Sequence, residues 1–125
     1  MAGAPIRDYR DLHAWQKAVE LALLCEDLCD ALPNAASHLS SQIRRAANSV
    51  HANIAEGNGR FSRPDYLRHL SIAHGSLREL EAHLYFVGRR YGSSPKLEEA
   101  SALCATTSRL LAGLIRALRG KPIGK

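Results

Sequence analysis

The sequence predicts an all-α protein, an up-down-up-down antiparallel four-helix bundle, and three observations carry that expectation. Hydrophobic residues make up 46% of the chain but aromatics only 6%, with Leu and Ala dominant, a balance that favours helices over a sandwich or barrel. Four segments place apolar residues at three-and-four spacing, and none alternates as a strand does. Short breaks rich in Pro, Gly, Asn and Ser separate them, so consecutive helices must run antiparallel beside one another. A long coiled coil is the weaker alternative, because the breaks recur too often. At 125 residues the chain holds one core of this kind. It divides into an N-terminal arm over 1–10, a bundle over 11–120 and a basic tail over 121–125.

The first helix is expected from Asp11, as its N-cap, to Leu32, where Pro33-Asn34 ends it. Its core face reads Leu12, Trp15, Val19 and Ala22, with Leu21, Leu24 and Leu28 opposite. The second starts after Ser37 and stops at Gly57, a residue suited to a left-handed C-terminal position; its stripe is Leu39, Ile43, Ala46/Ala47, Val50 and Ile54. Ser62 caps the third, with Pro64 tolerated in the first turn and Asp65 favourable against the helix dipole. An unbroken seam then runs through Tyr66, Leu70, Ala73, Leu77, Leu80, Leu84 and Val87 to Tyr91-Gly92. Ser94-Pro95 opens the fourth helix, whose seam is Leu97, Ala100, Cys104, Thr107, Leu111, Leu114 and Leu118, before Gly120.

Two helices carry more apolar surface than one bundle can bury. The third has a second line, Ile72, Gly75, Glu79, Ala82 and Phe86, away from its seam; Gly75 in mid-helix costs roughly 1 kcal/mol against Ala, a cost offset if another backbone comes close. Contiguous apolar patches of this kind are uncommon on monomers. The expectation is self-association through Leu21, Leu24 and Leu28 on the first helix and Ile72, Gly75, Glu79 and Phe86 on the third.

Formal net charge is +5, mostly from arginine, which forks onto phosphate or carboxylate. The topology gathers Arg7, Arg10, Arg60, Arg63, Arg68, Arg116, Arg119, Lys121 and Lys125 at one pole, against only Asp8, Asp11, Glu56 and Asp65. Such a pole can hold a phosphate backbone. It can equally neutralise helix C-termini, keep the surface soluble or engage an acidic protein, and no aromatic interleaving for base stacking accompanies the basic residues. At the far pole Glu26, Asp27 and Asp30 sit in the last turns of the first helix, where the dipole disfavours them, and Arg89 and Arg90 are their expected partners.

Signs of catalysis are weak. Gly57 to Arg60, GNGR, follows a helix rather than a strand and lacks a Gly-Lys-Ser/Thr ending, so it is not a phosphate loop. Glu79 and His83 are four apart, not the three of di-iron bundles, and His51 and Glu56 stand on different sides of their helix. Met1 is the sole methionine, which removes a His/Met haem. Cys25, Cys29 and Cys104 read as buried thiols, so no disulfide, metal or cofactor is expected. No apolar run reaches the roughly 18 residues of a membrane span, and MAGAPIRDYR lacks a signal-peptide centre, so a cytoplasmic location without membrane contact is expected.

Three segments carry a family resemblance: LHAWQKAVEL (Leu12 to Leu21), IRRAANSVHANIAEGNGR (Ile43 to Arg60) and DYLRHLSIAHGSLRELEAHL (Asp65 to Leu84). They resemble the four-helix-bundle proteins of intervening sequences in bacterial 23S rRNA genes, and the fold group is similar to the accessory variability determinant of diversity-generating retroelements. The resemblance implies a homo-oligomer, typically a pentamer, with nucleic acid proposed as the ligand of the basic surface; the retroelement relatives also bind a reverse transcriptase. Asp65 stands where the family often has Glu, and His69 where it often has an aromatic. Within the Asn-Ile-Ala-Glu-Gly phrase, Asn53 and Glu56 should hydrogen-bond the following loop or the next helix, Gly57 and Gly59 should permit the reversal, and Arg60 should pair with Glu56. The resulting reading is a non-enzymatic homo-oligomer that binds RNA or DNA backbone through Arg60, Arg63, Arg68, Arg116, Arg119 and Lys121. The alternative is an oligomeric protein-binding scaffold or adaptor whose basic pole meets an acidic partner.

Overall fold

Each periodic segment forms a helix in the computed structural model, which describes residues 8–120. These are α1 (His13–Ala31), α2 (Ser37–Asn58), α3 (Arg63–Tyr91) and α4 (Pro95–Arg119), with short 3-10 turns at Tyr9–Asp11 and Asn34–Ala36. Each helix packs on its two neighbours in the ring, α1 on α2 and α4, α3 on α2 and α4, so α1 and α3 are diagonal. The fold is the expected all-α four-helix bundle, with no strand among the described residues. Arg7, Lys121 and Lys125, and most of the expected arm and tail, lie outside those residues. Tyr9, expected in the arm, packs against the core and edge-on to Trp15.

The seams of α2, α3 and α4 face the core as read, with Ile43, Ile54, Leu70, Leu77, Leu80 and Leu111 fully enclosed and Leu39, Tyr66, Tyr91, Leu114 and Leu118 partly buried at the ends. The ends of α3 and α4 also follow the sequence. Ser62 Oγ accepts from the Asp65 amide at 3.2 Å, and Ser94 Oγ from the Leu97 amide at 3.1 Å, satisfying donors that a helix start leaves open. Gly92, at φ 88°, closes α3 in a conformation that side chains other than glycine rarely adopt.

Three expectations about the first half are corrected. Asp11 does not cap α1; it lies in the preceding 3-10 turn, and Leu12 occupies the cap position without a side-chain bond. Leu21 and Leu28 are core residues, at 0% and 3% exposure, and Leu24 is half-buried, so α1 offers no outer leucine face at these positions. Leu12 and Ala22 are buried as expected, and the stripe also takes in Ala14, Ala18, Leu21, Cys25 and Leu28, whose small members let neighbouring helices approach closely; Leu23 points outward. Gly57 is not a left-handed stop, because α2 continues to Asn58 and its cap, Gly59, has φ −83°.

The thiols of Cys25, Cys29 and Cys104 are all buried and unbridged, and no group of residues suited to hold a metal occurs among the described residues. Burial pushes Cys25 and Cys104 up to about 12 and raises Cys29 as well, so none is a thiolate near neutrality. A thiol reagent such as Ellman's should therefore find none of them in the native protein and all of them after denaturation; prompt labelling of the folded protein would contradict this packing.

Candidate nucleic-acid interface

The α2–α3 junction is built by a close approach. A Cβ added to Gly57 would lie 2.8 Å from His69 Cβ, 3.1 Å from Tyr66 Cδ1 and 3.2 Å from the Tyr66 carbonyl oxygen. Absence of a side chain there lets the first turns of α3 lie against the last turn of α2. Across this contact runs a half-buried polar network centred on His69. Asn53 Nδ2 donates to the Ser49 carbonyl at 2.9 Å and to Ser49 Oγ at 3.1 Å, which leaves Asn53 Oδ1 to accept from His69 Nδ1 at 3.1 Å. His69, 4% exposed, is thereby held as the Nδ1–H tautomer, and its Nε2 accepts from Arg60 Nε at 3.1 Å and Arg68 Nη2 at 3.2 Å. Ser49 Oγ also meets Ser76 Oγ at 2.7 Å. Asn53 thus bonds α3, as the sequence suggested, but through a histidine that the seam pattern did not mark as buried.

This network sorts the cations of the pole into two sets. Arg60 pairs with Glu56 at 2.7 Å, the expected bridge, and lies 3.5 Å from Asp65; Arg68 pairs with Asp65 at 3.0 Å. These two arginines are engaged within the chain. Arg63, Arg116 and Arg119 make no side-chain hydrogen bond or ion pair among the described residues. Arg116 and Arg119 line a groove of about 300 Å³ between α3 and α4, with Leu67, Ser71, His74, Ala112 and Ile115. Arg63 stands one turn before Leu67 on the same helix face. Lys121, also expected here, lies outside the described residues.

Phe61, between Arg60 and Arg63, is 109% exposed. The expectation that no aromatic stands among the basic residues is corrected here; a single aromatic in a loop has no periodicity to mark it.

Elsewhere, the far pole departs from expectation. Glu26 and Asp30 are bridged by Arg44 of α2, at 2.8 and 3.0 Å, and not by Arg89 or Arg90. The hydrogen bond to Glu26 raises Arg44 above its ordinary value. Arg89 instead reaches the Tyr85 hydroxyl at 3.0 Å, and Arg90 lies over the Tyr91 ring. The physical reason is topology: α3 is diagonal to α1, and α2 is adjacent. His51 bonds Asn48 at 2.9 Å and is lowered by burial, while Glu56 faces Arg60, so these two form no acid–base pair.

The second line of α3 is outward as read. Ile72 and Phe86 are 41% and 53% exposed, and a methyl built on Gly75 would meet nothing within 4 Å among the described residues. Glu79 is the exception in this line, since Arg45 of α2 binds it and His83 lies 3.2 Å away. No helix among the described residues is long and apolar enough to cross a membrane.

Comparison with known proteins gives two findings. The sequence model of the family described as 23S rRNA-intervening sequence protein matches residues 10–113. Among solved structures, the chain is similar to a protein of unknown function from the S23 ribosomal protein family of Bacteroides thetaiotaomicron, at 28% identity and a TM-score of 0.75, over 82% of this chain and 98% of that one. The search of curated proteins finds no match.

Proposed function

This chain belongs to the 23S rRNA-intervening sequence protein family, and from that premise we propose that it is a non-enzymatic, self-assembling bundle that binds the backbone of RNA or DNA through the basic pole. The observation that carries the reading is the convergence of Arg63, Arg116 and Arg119, without partners among the described residues, on one edge of α3 and α4. Cations serving only the fold would be expected in bridges, as Arg60 and Arg68 are. The family's link to a 23S rRNA sequence makes RNA the first polyanion to test.

Self-assembly is supported by the exposed line Ile72, Gly75, Ala82 and Phe86, where an open glycine allows a second helix to come close. A pentamer, which the family resemblance implies, remains part of this proposal. Light scattering checks it, and a mass of one chain at high micromolar concentration would end it.

For binding, anisotropy of labelled RNA and single-stranded DNA should show log Kd rising with log salt at a slope of about 2 to 3 per bound subunit, for roughly three phosphate contacts. Arg63→Glu with Arg119→Glu should weaken binding at least about tenfold and flatten that slope by more than about 1. Unchanged affinity in this double variant would show that the surface is wrong and would favour the scaffold alternative.

A further inference from the structure

Phe61 lacks the packing role its position normally provides. It precedes the Ser62 cap of α3, the place from which an apolar residue usually staples against the fourth helical residue, here Tyr66. Tyr66 instead lies against Gly57 and bonds Asn58 through its hydroxyl at 3.2 Å, while the Phe61 ring stays wholly in water. An exposed phenyl forgoes on the order of 2 kcal/mol of burial, and no packing among the described residues accounts for it. Its sequence neighbours are Arg60 and Arg63, and Arg63 leads along α3 to the groove whose apolar lining is Leu67, Ala112 and Ile115 and whose rim is Arg116 and Arg119. An aromatic face, an apolar floor and intervening cations are what an unpaired nucleotide strand requires: bases to stack, phosphates to neutralise. A duplex hides its base faces and would engage only the arginines.

We propose that Phe61 and the α3–α4 groove form a site for single-stranded nucleic acid, with one base stacked on Phe61, another seated over Leu67 and Ile115, and the linking phosphates on Arg63, Arg116 and Arg119. This inference rests on the nucleic-acid reading above and adds that the strand must be unpaired. Ser71 and His74, on the groove wall, are placed to meet base edges. The groove adjoins the Ile72–Phe86 line, since Ser71 and Gly75 are one turn apart on α3, so the oligomer mass is measured beside binding in every variant.

The test uses the full chain with 12-nucleotide oligo(U) and oligo(dT) carrying one 2-aminopurine, and a hairpin duplex of equal charge. Either single strand should bind more tightly than the duplex and have its 2-aminopurine quenched. Phe61→Ala, which leaves the packing among the described residues intact, should weaken strand binding by about five- to 150-fold, abolish the quenching, and leave both the salt slope and duplex affinity unchanged. Ser71→Leu, which fills the groove from an exposed position, should also weaken strand binding.

Equal affinity for strand and duplex with no effect of Phe61→Ala would overturn the site while leaving backbone binding intact. Loss of salt-dependent binding to every nucleic acid in the wild-type protein would remove the underlying reading as well. An altered oligomer mass in Phe61→Ala would make Phe61 a subunit contact, polyglutamate competing as well as the strand would make the ligand an acidic peptide, and an unaffected Ser71→Leu would exclude the groove; each overturns the proposal.

Discussion

Gly57→Val is expected to destabilise the fold by about 3 kcal/mol, read as a lower urea midpoint at unchanged slope. In an open helix interior, replacing Gly by Ala is worth roughly 1 kcal/mol in favour of the variant. Here the added Cβ would fall 2.8 Å from another Cβ, and the nearest carbonyl oxygen is at 3.2 Å, neither of which is the far end of a flexible side chain. Relief requires α2 and α3 to separate at this contact, and the two branches of valine add to the displacement. Gly75→Ala is the matched control. Its new methyl meets nothing within 4 Å among the described residues, so the single chain should gain up to about 1 kcal/mol. If a second copy packs on that face, the same change should shift light scattering toward smaller species. Gain of stability at Gly57 would show that the close approach is not needed; loss of stability at Gly75 in a monomeric state would show that the position is not open.

The contrast between these glycines marks what sequence could convey. The seams of α3 and α4 were legible because each runs unbroken at three-and-four spacing along the helix, and Ser62 and Ser94 announce their helices by chemistry that local structure requires. The first helix was not, because Leu21 to Leu24 puts apolar residues on nearly every side, and the choice between faces depends on Ala14 and Ala18, whose small size rather than hydrophobicity qualifies them for the core. Gly57 looked like a stop since glycine commonly is one; that it is a contact depends on residues nine and twelve places on, Tyr66 and His69. Pairing at the far pole failed for the same kind of reason. Charge and pole were right, but only the ring order of the helices says that Glu26 and Asp30 face Arg44. Of the six cations assigned to the interface, sequence cannot separate those that bridge to Glu56 and Asp65 from those left over, because that partition is made by side-chain geometry at the α2–α3 contact.

That contact also makes His69 the polar residue whose loss should matter most. His69→Leu keeps an apolar body of similar size but removes the donor to Asn53 Oδ1, leaving a half-buried acceptor between α2 and α3 without its bond. An unsatisfied group of this kind costs about 1–3 kcal/mol, so a loss near 2 kcal/mol is expected in urea unfolding. Asn53→Ala removes the same bond from the other side and also the tie to the Ser49 carbonyl, and should lose about as much. Because the two share one interaction, the double variant should fall well short of the sum, with a coupling of roughly 0.5–3 kcal/mol. Additive losses would mean that the two side chains act independently and that the network does not join the helices. The same variant probes the pole. Arg60 and Arg68 would lose their shared acceptor, Nε2, yet keep Glu56 and Asp65, so they should remain engaged and nucleic-acid affinity should change far less than it does in Arg63→Glu with Arg119→Glu.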